Sequence, residues 1–141
     1  MRDTYTILVE ELLELFLSEK YRIIGSANPG KYPHPKELKN DGYGDQQPKR
    51  PDVIAFDEVN KRYVLGIVKL ADEDLESAHS LTQYDVFFDH KNSDNGKPSR
   101  VCFILPPSSI AQFTAIITHY IHHDYWVNLT IIRAKSEVPE S

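Results

Sequence analysis

A chain of 141 residues, 40% of them hydrophobic and 26% charged, has interior enough for a packed core and is neither low-complexity nor disordered in composition. The net charge of −5 argues against a protein that coats nucleic acid without specificity, because phosphate binding needs a basic footprint. A lone cysteine, Cys102, excludes a disulfide framework within the chain, and no apolar run reaches the length of a membrane span.

Residues 3–19 predict an amphipathic helix, with Leu8, Leu12, Leu15 and Phe16 at helical spacing. Glu11 borders that apolar stripe, whereas Glu10 and Glu14 point more toward solvent. With polar residues leading into this acidic helix there is no signal-peptide pattern, so a cytoplasmic location and no membrane partner are expected. Residues 21–25 read as a short strand. Residues 26–50 hold four prolines and three glycines and read as a long loop, which in a compact domain is functional or mobile. Its Lys31, Lys36, Lys39, Lys49 and Arg50 form either a local basic footprint or a solvated set of scattered charges.

Two β-rich runs, 51–56 and 62–69, are joined by a five-residue turn, 57–61, and predict a hairpin. Pro51 is tolerated at the start because a first strand residue need not donate to the ladder. Alternation places Asp52, Ile54 and Phe56 on one face of the first strand, and Leu65, Ile67 and Lys69 on one face of the second. An acidic helix follows over 73–84, then a turn region over 90–98. Residues 101–105 form a continuous apolar run, as in a central strand covered on both faces, so Cys102 reads as a buried, inert thiol. Pro106 and Pro107 end it, and a helix starts near Ile110 with Ser108 or Ser109 as N-cap and runs to about Asp124. A last strand spans 127–133, and the polar tail from about 135 is expected to fray. The predicted order is therefore α-β-β-β-α-β-α-β in a single domain over 1–141, an α/β fold with a mixed sheet flanked by helices.

Asp52 and Lys69 stand at neighbouring strand ends, so a carboxylate and an ammonium can meet at the mouth of the sheet and hold a metal ion and a water. The residues Pro51-Asp52, the strand-end triplet Ile67-Val68-Lys69 and the helix after it resemble the PD-(D/E)xK nuclease superfamily, the restriction-endonuclease-like fold. The order of elements matches that family over nearly the whole chain, but Ile67 stands where its second acid belongs. The resemblance implies metal-dependent hydrolysis of DNA phosphodiester bonds with Mg²⁺ or Mn²⁺. Carried over by position, Asp52 is a metal ligand, the Val68 carbonyl a second, and Lys69 the residue that positions the attacking water; Ile67 can serve in none of these roles.

A replacement acid is then required. Glu76 is the first candidate, because the resemblance includes relatives whose second acid has moved to this helix; at helical spacing it shares a face with His79, Ser80 and Gln83. Glu11 is the second and Asp72 the third. Lys49, Arg50 and Gln83 are candidate DNA contacts. Gln83 echoes relatives with a glutamine followed four residues later by an aromatic, here Phe87, and reads equally as a polar residue on a half-buried helix. His119, His122 and His123 have a spacing that can bind a transition metal but read as a wet helix face with no acid nearby to complete a site. Tyr120, Tyr125 and Trp126 read as packing residues. Two further functions stay open: a catalytically inactive nuclease-fold module binding nucleic acid or protein, and an interaction domain whose acidic helices dock a basic partner. A homodimer is left open.

Overall fold

The structure, a computed structural model, describes residues 3–27, 32–35, 38, 50–70, 75 and 78–135, without the side chains of 78, 79 and 82. Helix α1 (Thr4–Ser18) starts where the Asp3 carboxylate accepts from the Thr6 amide at 2.8 Å, an N-cap that satisfies one of the helix's free donors. It buries Leu8, Val9, Leu12 and Phe16 on one face. Its end is closed by Tyr21 N donating to Phe16 O and Lys20 N to Leu17 O, with Lys20 at φ 64° in the left-handed region. This is the Schellman arrangement, built on a lysine where glycine is usual.

Strands β1 (Arg22–Ser26), β2 (Val53–Asp57) and β3 (Arg62–Val68) form an antiparallel meander. The β2–β3 turn is tied by the buried Asp57 carboxylate, which accepts from the Val59 and Asn60 amides and from Asn60 Nδ2. Burial pushes the Asp57 carboxyl upward, but these hydrogen bonds outweigh it and hold it below the ordinary range. Helix α2 (Ala78–Asp89) leads to β4 (Arg100–Leu105), and helix α3 (Ile110–Tyr120) leads to β5 (Leu129–Arg133). Both β4 and β5 run parallel to β3, so the sheet is mixed, with spatial order β1-β2-β3-β4-β5. Parallel neighbours need a crossover, and two crossovers of one hand progressing in one direction put both helices on the same face.

The core has two halves, and strand alternation sorts the residues between them. Ile54, Leu65, Ile67, Val101, Phe103 and Leu105 pack against Tyr84, Phe87 and Phe88 of α2 and Phe113, Ile116 and Ile117 of α3. Val53, Ala55, Val64, Val68, Cys102 and Ile104 pack against α1. Gly66 lies on the α1 face, where a Cβ would stand 3.1 Å from both Leu12 Cδ1 and the Phe16 ring; its missing side chain lets α1 sit close to β3. Strand β4, buried on both faces, is the continuous apolar run its sequence suggests.

Two helix ends differ from the sequence-based expectation. Helix α2 continues to Asp89 rather than ending at Tyr84, because Val86, Phe87 and Phe88 carry on its buried face; of its expected first turns, 73, 74, 76 and 77 lie outside the described residues. Helix α3 stops at Tyr120, not near Asp124. Ile121 adopts extended backbone (φ −101°, ψ 130°) that buries its side chain, and a 3-10 segment, His123–Asn128, follows. His122 and His123 therefore leave the helix that carries His119. At the other end, Ser109 is the N-cap of α3 but makes no side-chain cap bond, because a 3-10 turn over Pro107–Ser109 leads into the helix.

Burial pushes the Cys102 thiol up to about 11, against an ordinary value of 9.0. Thiolate, the reactive form, is scarce at such a site. Cys102 is therefore expected to resist a thiol-specific disulfide reagent at mildly alkaline pH in the native protein and to react at once in denaturant. Rapid labelling of the native chain would contradict the buried position of β4.

Candidate functional site

The end of β3 carries the residues singled out by the sequence. Asp52 lies in a bend just before β2, locked by its own backbone: its amide donates to Gly66 O at 2.9 Å, and its carbonyl accepts from Ala27 N at 2.8 Å. The bend takes Asp52 out of strand alternation. Its carboxylate does not follow Ile54 toward α2; Oδ2 accepts from the Val68 amide at 2.7 Å and Oδ1 accepts from the Tyr5 hydroxyl of α1. In an extended strand a residue's N–H and C=O project to the same side. The Val68 carbonyl therefore faces the same edge of β3 as the amide that holds Asp52.

Lys69 directly follows β3, and its amide donates to Ile104 O at 3.1 Å, extending the pairing with β4. The side chain is only 3% exposed and continues the face of Leu65 and Ile67 toward α2. There Nζ donates to Gln83 Oε1 at 2.8 Å and lies 5.5 Å from the centre of the Tyr84 ring. A buried ammonium needs such partners, since desolvation without them is costly. Tyr84 is positioned in turn by its hydroxyl, which donates to Leu75 O at 2.8 Å. The two charged groups thus flank Val68, with Asp52 held from the α1 side and Lys69 from the α2 side. The carboxylate and ammonium do not meet as strand alternation alone suggests, because the bend at Asp52 turns its side chain away from α2.

The other candidates fall differently. Ile67 is 3% exposed and belongs to the core under α2 and α3, so β3 offers no second carboxylate. Glu11 projects from α1 over β4 and β5: its Oε2 accepts from Lys135 N at 2.9 Å, beside a cleft of about 270 Å³ that Ile104 and Ile132 also line. Glu11 thus lies over β4 and β5, whereas Asp52 is held at the β2–β3 edge. Arg50 is exposed just ahead of Pro51. Glu76, Asp72 and Lys49 lie outside the described residues.

Two partners escape sequence reasoning. Tyr5 is 47 residues from Asp52, and only the docking of α1 against the meander brings its hydroxyl to the carboxylate. Gln83 was legible as a polar residue on a half-buried face, but its role as the acceptor for Lys69 depends on where α2 crosses β3. No family model, curated protein or solved structure matches the chain, so its function is argued from this geometry. No helix among the described residues is long and apolar enough to cross a membrane.

Proposed function

We propose that the chain is a divalent-metal-dependent phosphodiester hydrolase acting on DNA, with a restriction-endonuclease-like arrangement of its strands. The observation that carries the reading is the 2.7 Å hydrogen bond from the Val68 amide to Asp52, which puts a carboxylate and a strand-end carbonyl on one edge; Lys69, the next residue, turns to the α2 side. That donor set suits a hard ion: Mg²⁺ or Mn²⁺ takes oxygen ligands and commonly keeps several waters beside one or two carboxylates. Bound by Asp52 and the Val68 carbonyl, such an ion would acidify a water and offset phosphate charge. Asp52 is oriented for this by Tyr5 and Val68, the kind of outer support that fixes a metal-binding carboxylate. Lys69, held by Gln83, supplies positive charge in a partly desolvated setting where it acts more strongly than in water. Glu76 and Asp72, in the segment after β3, are the proposed sources of a second acid.

The test is nicking of supercoiled plasmid by the full chain with Mg²⁺ or Mn²⁺, with and without EDTA, beside Lys69→Met. Methionine keeps the length of the side chain and its burial, so the variant is expected to fold and to lose nicking by about a hundredfold, the scale of one lost electrostatic contact. Nicking by the variant at the wild-type rate would remove Lys69 from the chemistry. A second reading, a nuclease-fold module that binds DNA without cutting it, is favoured by the burial of Ile67 where the resembled family has an acid. A gel shift by duplex DNA, together with no nicking under either metal, would select that reading.

A further inference from the structure

We propose that His122, His123 and Asp124 form a binding site for one borderline transition ion, of the Zn²⁺, Ni²⁺ or Cu²⁺ kind, at the exposed corner between α3 and β5. The corner is built rather than loose. Helix α3 ends at Tyr120, Ile121 turns inward, Tyr125 N donates to His122 O at 2.9 Å, and Trp126 Nε1 donates to Ile121 O at 3.0 Å. These bonds hold three consecutive metal-ligating side chains on one outer edge.

Their donor atoms all lie within 4.8 Å of one another. Asp124 bridges the pair, with Oδ2 3.4 Å from His122 Nδ1 and Oδ1 3.4 Å from His123 Nε2. Bonds of about 2.1 Å to a tetrahedral ion put neighbouring ligand atoms about 3.4 Å apart, the reach of each carboxylate–imidazole contact, although the two contacts run to different oxygens of Asp124 and one oxygen must turn between the rings to serve as the shared donor. The imidazoles are stacked, with centroids 4.2 Å apart and planes at 28°, so small rotations of exposed side chains bring the third separation into range. The Asp124 amide also donates to His122 Nδ1, at a long 3.2 Å; an ion would displace that contact or take the other ring nitrogen.

Two imidazoles and a carboxylate select borderline transition ions over Mg²⁺ or Ca²⁺. Three protein donors leave a coordination position open to water or to a further ligand, unlike the closed four-ligand shell of a structural zinc. The site is separate from the Asp52 edge: it precedes β5, which runs parallel to β3, and so lies toward the end of the sheet where β3 begins. The i, i+3, i+4 pattern of His119, His122 and His123 suggested a helical face with no acid; the end of α3 instead sets His119 apart and brings Asp124 in.

Trp126 is the only tryptophan of the chain, and its ring lies 6.2 Å from that of His123, which supplies a local reporter. Titrating the full chain with CuCl₂ is expected to quench Trp126 emission at one ion per chain, and Zn²⁺ should compete and restore it. His123→Ala and Asp124→Asn are each expected to weaken binding by about tenfold or more, and His122→Ala/His123→Ala to abolish it. His119→Ala, altering a ring that packs on Tyr120 instead, should leave it unchanged. Far-ultraviolet circular dichroism checks the fold of each variant. Should the double variant unfold, the imidazole resonances of the wild type decide, because His122 and His123 must shift on Zn²⁺ addition while His119 stays. Quenching that survives in the folded double variant, or that His119→Ala weakens as much as His123→Ala does, overturns the proposal.

Discussion

Asp52→Asn is expected to eliminate metal-dependent nicking while leaving the fold nearly intact, whereas Asp52→Ala is expected to eliminate nicking and also destabilise the protein by about 2 kcal/mol. The difference follows from the two hydrogen bonds on the carboxylate. An asparagine keeps one carbonyl oxygen to accept from the Val68 amide and turns its NH₂ toward the Tyr5 oxygen, so both contacts can survive without the charge. Alanine leaves a half-buried amide and hydroxyl without their acceptor, and an unmet donor of this kind costs roughly 1–3 kcal/mol. Urea denaturation reads the stability difference, and titration calorimetry with Mn²⁺ reads the loss of metal affinity in both variants. If Asp52→Asn binds Mn²⁺ and nicks plasmid like the wild type, Asp52 is a structural carboxylate and the metal reading fails.

Ile67→Glu tests the position where the resembled family carries its second acid. The β2–β3 register, with Val53 opposite Gly66, makes residue 67 a near β3 neighbour of Asp52, but Ile67 faces α2 while Asp52 is held from the α1 side, so a carboxylate there reaches the proposed ion only around the edge of the strand. The sequence alone suggests a cost from two neighbouring acids; the structure adds a larger one, because Ile67 is buried under α2 and α3. Placing a carboxylate in that apolar pocket is expected to destabilise the metal-free protein by about 3 kcal/mol at neutral pH. Burial and the nearby Asp52 both raise the folded-state pKa of the new acid above its unfolded value. The variant is therefore least destabilised where the acid is protonated in both states, and it loses stability as pH rises through the raised value. Mg²⁺ should reverse part of the loss, because an ion that binds only the folded state stabilises it in proportion to the logarithm of its concentration. Thermal melts across pH, with and without Mg²⁺, measure both effects. A variant that melts with the wild type's pH profile and ignores Mg²⁺ would show that residue 67 does not reach the Asp52 edge.

The contrast between the strands and the site shows where sequence information ends. The two faces of the sheet were readable because alternation is a local property. Ile54, Leu65 and Ile67 went to one side, as a period of two requires, and the unbroken run 101–105 marked a strand covered on both faces. The positions of Asp52 and Lys69 at adjoining strand ends were readable for the same reason. What each charged group touches was not. The Asp52 carboxylate follows a bend rather than the strand, and its hydroxyl partner comes from a helix 47 residues earlier. Lys69 meets Gln83 only because of where α2 crosses β3. Helix α3 ends early for a similar reason: burying Ile121 outweighs extending a helix whose local pattern would have continued, and that single turn joins Asp124 to His122 and His123. Hydrophobic periodicity by itself determined the elements and their faces. Only the docking of helices on the finished sheet decided which polar groups meet, because those pairings depend on where distant segments come to rest and not on the residues beside them.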